Sequence, residues 1–147
     1  MTKDLSAEKV FGNFPQGINC CMQVLDAVAE DIGLDAAEAR RLGAGFGGGM
    51  GLGSTCGCVT GALMALGYKY GNSEPGEKEK IAAYNEKKKA FLSAFKEQFG
   101  STCCVDMLGG LNPAVPEDKA KIAEQGLMHD VCANAVCAAA DILAELL

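Results

Sequence analysis

Residues 43–61 read GAGFGGGMGLGSTCGCVTG. Seven of the eleven residues from Gly43 to Gly53 are glycine, too many for a regular helix. As a string, Gly43-x-Gly45-x-x-Gly48 satisfies the dinucleotide-binding fingerprint. That fingerprint has meaning only between a strand and a helix of a βαβ unit. No strand alternation precedes it here. Asp35 instead caps a brief helix running through Arg41, and Ser54 or Thr55 caps another from Cys56 to about Tyr70. The run Gly48-x4-Gly53-Ser54-Thr55 has the outline of a phosphate loop, but Ser54 stands in the lysine position. The stretch is a glycine-rich loop between helices, and the fold class follows as all-α.

Helical periodicity extends outward in both directions. A first helix runs through Leu5–Phe14, before Pro15. A second begins near Gly17 and carries the stripe Ile18, Cys21, Met22, Leu25, Val28, Ala29 and Ile32, with Asn19, Gln23, Asp26 and Glu30 opposite. Gly33 stops it. In the Cys56–Tyr70 helix, Gly57, Gly61 and Ala65 form a ridge of tiny side chains that lets another backbone approach closely. From Glu77 to Phe99, Ile81, Tyr84, Phe91, Phe95 and Phe99 recur at helical spacing among charges, as core residues do. A short helix follows the second Gly-Ser-Thr and ends by Gly109. Asn112–Glu117, with two prolines, reads as a connector, and a last helix covers roughly Met128–Leu146. The sum is one domain over residues 1–147: an antiparallel bundle of about four main helices plus short ones.

The net charge of −6 argues against binding nucleic acid or an anionic membrane without a basic patch. Lys87-Lys88-Lys89 is the only basic cluster and reads as a solvated helix face. No leader pattern and no long apolar run is visible in the sequence, so the expected location is cytoplasmic.

Eight cysteines stand out: Cys20, Cys21, Cys56, Cys58, Cys103, Cys104, Cys132 and Cys137. In a chain without a leader they point to metal binding or thiol chemistry. No C-x-x-C occurs, which leaves zinc ribbons, thioredoxin-type sites and covalent haem attachment unsupported. The sequence GSTC appears twice, ending at Cys56 and at Cys103. Each Gly ends an element, Ser or Thr caps the next helix, and the cysteine falls in its first turn, where free N–H groups favour a thiolate. On the last helix Cys132 faces inward, while Cys137 shares its side with Asp130, Asn134 and Asp141. The single histidine, His129, lies three residues before Cys132 and is a candidate thiolate neighbour or ligand. Four segments can thus each aim a sulfur at one centre, as disulfide-forming pairs or as a tetrahedral sulfur site.

At these residues the chain resembles the C-GCAxxG-C-C family, whose name assigns it a redox role. The resemblance rests on Gly17-Ile18-Asn19-Cys20, on Gly47-Gly48-Gly49, on Thr55-Cys56-Gly57-x-Val59-Thr60-Gly61-Ala62-Leu63-Met64, and on Leu66-Gly67-Tyr68-x-Tyr70-Gly71. Cys104 with Met107-Leu108, and Cys132 followed by Val136, complete it. It implies a helical domain with four shared cysteines at Cys20, Cys56, Cys104 and Cys132. It is also similar in part to split-Soret cytochrome c, without the haem-attachment motif. Two features depart from the family. Cys58 stands where the family's C-G-A-x-x-G has alanine, and Cys21, Cys103 and Cys137 are further extra thiols, so each family position has a second sulfur nearby. Periodicity selects Cys21 on the second helix, whereas the resemblance selects Cys20.

The expected function is thiol-based redox chemistry. Cys56 is the expected attacking thiol, resolved by Cys104, Cys20 or Cys132. The expected partner is a redox protein or a small disulfide or thiol. The glycine loop would let it approach the backbone, and the small-residue ridge offers a route to a homo-oligomer. The alternative is a binding module in which Cys20, Cys56, Cys104 and Cys132 hold Zn or an Fe–S cluster, with Cys21, Cys58, Cys103 and His129 as secondary candidates. A third reading is a helical interaction domain with inert thiols.

Overall fold

The computed structural model describes residues 5–147. Its helices are α1 (Ala7–Asn13), α2 (Cys20–Ile32), α3 (Ala36–Leu42), α4 (Gly57–Tyr70), α5 (Lys78–Phe99), α6 (Cys104–Met107), α7 (Pro116–Glu124) and α8 (Asn134–Leu146). A wide π-type turn, Met128–Ala133, leads into α8, so the expected last helix is one run whose first turn is widened. The fold is all-α, as the periodicity implies. No single helix among the described residues is long and apolar enough to cross a membrane.

The bundle is organised around α2, which packs against α3, α4 and α8. Asn19 starts α2 by accepting the Met22 N–H at 2.9 Å, and Gly33 ends it in a left-handed conformation. Val24, Leu25 and Val28 are fully buried along its length. Each such side chain contributes about 1.5–3 kcal/mol by leaving water. The small-residue ridge of α4 is the surface on which α2 rests. A Cβ on Gly61 would stand 3.1 Å from the Cys21 carbonyl oxygen, and one on Gly57 would stand 2.5 Å from Cys20 Sγ. The other side of α4 packs on α5. On α5, Phe91 and Phe95 are fully buried and stacked with ring centroids 5.8 Å apart. Tyr84 and Phe99 are half-buried, but Ile81 is exposed, so the aromatic stripe serves the core only along the later turns.

Lys87 does more than solvate a helix face. Its Nζ donates to the Leu146 carbonyl oxygen at 2.9 Å, alongside Lys69 on Leu147 (2.7 Å) and Tyr70 Oη on Leu146 (3.1 Å). These groups serve carbonyls that the end of α8 leaves unpaired.

Three expectations need correction. Gln23 is buried, not on the polar face. Its Nε2 donates to the carbonyls of Val10 and Ile18, both at 3.1 Å, and its Oε1 accepts from Asn13 Nδ2. A glutamine is stable there because every polar atom is satisfied, and it ties α1 to α2. The expected connector Asn112–Glu117 runs into a helix: α7 starts at Pro116, which sits in its first turn, continues to Glu124, and has Ile122 as its one buried residue. A single apolar anchor leaves no stripe in the sequence. Finally, no side chain among the described residues caps α4 or α6: their N-terminal flanking residues are Cys56 and Cys103. Backbone pairing takes the place of the Ser and Thr caps.

Overpacking should expose the dependence on the α2–α4 approach. Gly61→Val is expected to lose about 1–3 kcal/mol, read as a lower urea midpoint. Gly12→Ala, with open space around it in α1, is expected to keep or raise that midpoint. Equal midpoints for the two variants would remove the ridge from its supporting role.

Candidate functional site

The two GSTC stretches pair with each other. Thr55 and Cys103 form an isolated antiparallel bridge. Cys56 N–H donates to the Thr102 carbonyl at 2.8 Å, and Cys104 N–H donates to the Ser54 carbonyl at 2.6 Å. Side chains alternate across paired extended backbone. Cys56 and Cys104 therefore fall on one face, and Thr55 and Cys103 on the other. The Cys103 thiol accordingly turns away and donates to the Gly53 carbonyl at 3.6 Å.

The face carrying Cys56 and Cys104 looks into a cavity of about 100 Å³. Cys20 enters it from the first turn of α2, Cys56 from the residue preceding α4, Cys104 from the first turn of α6 and Cys132 from the π-type turn. All four sites expected from the sequence thus share one cavity. A fifth sulfur, that of Cys58, joins them and is 0 % exposed. Phe14, Met107, Leu108, Val131 and Ala135 supply apolar walls. The wall is also closed by Gly57, whose missing side chain makes room for Cys20 Sγ.

The thiols are not electrostatically equal. Side-chain hydrogen bonding with Cys58, and then the backbone N–H groups of Gly48, Cys21 and Cys20, favour a thiolate at Cys20. Together they overcome burial and lower Cys20 from the usual 9.0 to about 7. The Gly48 N–H reaches the sulfur from a left-handed conformation (φ 62°), where glycine carries no side-chain penalty. Cys58, engaged with Cys20 and then Cys56 and buried as well, is pushed well above 9.0. Burial raises Cys104 to about 12, with charge repulsion from Cys56 and Cys20 adding to it. Burial likewise raises Cys132. Among the cavity thiols with a shifted pKa, the one moved toward ionisation is therefore Cys20.

The remaining candidates lie elsewhere. Cys21 is fully buried between α2 and α4, with Thr60 Oγ1 3.8 Å from its sulfur, and burial raises it to about 12. Periodicity and family resemblance were each right about a different residue: Cys21 serves the core and Cys20 the cavity. Cys137 is half-buried and feels Asp141 and Glu8. His129 turns outward, with Nδ1 3.0 Å from Asp130, Nε2 3.7 Å from Glu8 and its ring edge-on to Phe11. Its pKa is raised chiefly by the Asp130 hydrogen bond. Cys58 is the cavity residue that sequence reasoning undervalued, because a single cysteine at helical spacing looks like any small core residue.

A wider recess of about 620 Å³ adjoins the thiol cavity, and Phe14, Asn19, Gly48, Pro113 and Met128 line both. Among the described residues, no three cysteine, histidine or carboxylate side chains converge closely enough to hold a metal ion. A four-thiolate metal site would require the cavity sulfurs to move inward.

Carbamidomethylation mapped to individual cysteines should separate these thiols. The rate at Cys20 is expected to rise with pH through an inflection near 7, because the thiolate is the nucleophile. Cys104 is expected to stay slow up to pH 9, with its thiol held neutral to about 12. An inflection for Cys20 at the usual 9.0 would contradict the hydrogen bonding described above.

No curated protein and no solved structure matches the chain in comparison. One family model does, over residues 18–146, and it spans all four of the shared cysteines. The chain belongs to the family described as "Putative redox-active protein (C_GCAxxG_C_C)".

Proposed function

We propose that this protein carries out thiol–disulfide exchange, with Cys20 as the attacking thiolate. The observation that carries the reading is the gathering of Cys20, Cys56, Cys104 and Cys132 around one small apolar cavity, with several hydrogen-bond donors favouring the thiolate of Cys20. Near neutral pH a group lowered to about 7 is both substantially ionised and still nucleophilic. The neighbouring cavity thiols with raised pKa stay neutral, so they do not repel the attacking charge.

The substrate class is a small disulfide, or the disulfide of a partner protein presented through the adjoining recess. In the first step Cys20 Sγ bonds to one substrate sulfur and the other leaves as a thiolate. In the second a protein thiol displaces the bound half. The substrate gains two electrons and two protein thiols become one disulfide. The apolar walls keep water from the reacting sulfurs and strengthen the hydrogen bonds that hold the thiolate.

Reaction of the reduced protein with 2,2′-dithiodipyridine provides the test. Wild-type protein is expected to show a fast phase at pH 7, and Cys20→Ser is expected to lose it. The fast phase should exceed the rate of a thiol at 9.0 by roughly five- to eight-fold: at pH 7 the thiolate fraction is about fifty-fold higher, and the lower basicity of that thiolate takes back part of the gain. A fast phase that survives Cys20→Ser overturns the assignment. Metal analysis of anaerobically purified protein tests the whole reading: a stoichiometric metal lost in Cys56→Ser would replace exchange with a four-thiolate centre.

A further inference from the structure

The recess beside the thiol cavity carries a single charge. Of the described residues that line it, Lys119 of α7 is the one charged side chain, in a protein whose net charge is −6. Lys119 is exposed, and among the described residues its ammonium has no hydrogen bond or ion pair. The adjacent carboxylate, Asp118, is engaged elsewhere: its Oδ2 accepts from the Asn112 N–H at 3.0 Å. Asn19, the other polar side chain in the lining, is engaged too. Its Oδ1 accepts from the Met22 N–H, and its Nδ2 donates to the carbonyls of Gly43 and Ala44. The rest of the wall is apolar or glycine, with Phe14, Pro113, Ile122 and Met128 in it.

Apolar walls with one unpartnered cation are complementary to a molecule that has an apolar body and an acidic end. We propose that the substrate of the exchange reaction is a small organic disulfide whose halves each carry a carboxylate, held in the recess by Lys119. The inference rests on the exchange reading given above and names its substrate class. A volume of about 620 Å³ falls within the roughly 300–1,000 Å³ of small-molecule sites, whereas a folded partner would present a far larger face. Phe14, Asn19, Gly48, Pro113 and Met128 line the recess and the thiol cavity alike. One half of the substrate therefore lies with its carboxylate at Lys119 and its sulfur at this shared lining.

Lys119 acts on the part of the substrate that does not react. Cys20 Sγ bonds to the sulfur of the anchored half, the substrate S–S bond breaks, and the outer half leaves as a thiolate. A second protein thiol then bonds to Cys20 Sγ, and the anchored half leaves as the other thiolate. The two departing thiolates take the protons that the two protein thiols give up. Two protein thiols are oxidised to one disulfide, and the substrate disulfide is reduced to two thiols. A neutral disulfide gains only apolar contact in the recess, and a cationic one is repelled by Lys119. Selection by charge is thus separate from the reactivity of the attacking thiol.

The experiment compares two disulfides on reduced protein at pH 7 and low ionic strength: 5,5′-dithiobis(2-nitrobenzoate), with a carboxylate on each half, and neutral 2,2′-dithiodipyridine. The readout is the ratio of their fast-phase rates, anionic over neutral, in which any change in the attacking thiol cancels. Lys119→Gln is expected to lower the ratio about two- to five-fold, the scale of one solvent-exposed ion pair, and Lys119→Glu to lower it further. Lys121→Gln removes the same charge from an exposed position of α7 outside the recess and is expected to keep the wild-type ratio. The Lys119 effect should shrink in about 1 M salt. An unchanged ratio in both Lys119 variants overturns the inference. So does an equal fall in Lys121→Gln, which would make the effect one of net charge. Either result leaves exchange at Cys20 standing. Failure of the neutral disulfide to give any Cys20-dependent fast phase overturns the exchange reading and this inference with it.

Discussion

Two backbone hydrogen bonds hold the cysteine cavity together. The amide of Cys56 reaches Thr102, and the amide of Cys104 reaches Ser54. They join two loops that are far apart in the chain and force both to run extended just before turning into α4 and α6. The extended conformation sets the alternation of side chains, and alternation sends Cys56 and Cys104 inward while Cys103 goes out. Without this bridge each cysteine would begin its own helix with no fixed relation to the other. The bridge also accounts for the repetition of Gly-Ser-Thr ahead of both cysteines, since the two copies are each other's partner.

Helices and their major packing faces were legible because burial leaves a period in the sequence. The stripe on α2, the small-residue ridge on α4 and the paired phenylalanines on α5 all carry that signature. Features held by one contact left none. Ile122 alone anchors α7, and Gln23 is buried by hydrogen bonds that depend on where α1 happens to lie. The bridge was illegible for a similar reason: a single pairing is too short to impose alternation on the residues around it. The four cavity cysteines were found by their spacing and family resemblance. The ranking among them was not, because it depends on the Gly48 amide and the Cys58 thiol, groups brought to Cys20 only by folding.

The cavity is economical with charge. Five thiols surround a small apolar space, yet the environment favours ionisation of Cys20 and opposes it at Cys58, Cys104 and Cys132. Several thiolates at such close quarters would repel one another with little water to screen them. Desolvation favours the neutral thiol at Cys58, Cys104 and Cys132, while Cys20 is moved the other way. That centre is defined by donors rather than by a nearby cation: among the described residues no lysine or arginine lines the cavity. The belonging of the chain to a redox-active family and the convergence of its sulfurs thus meet in one physical arrangement.

Gln23 sits away from the sulfurs but fastens the segment that carries Phe14. Its amide grips the carbonyls of Val10 and Ile18 and the side chain of Asn13, which bracket Phe14 in the chain. Phe14 lines both the thiol cavity and the outer recess. The doorframe is therefore fastened to the central helix rather than to a free loop. Widening the entrance by displacing this segment would require breaking buried hydrogen bonds, so its breathing should track the integrity of the bundle, and a weakened core would be a leaky one.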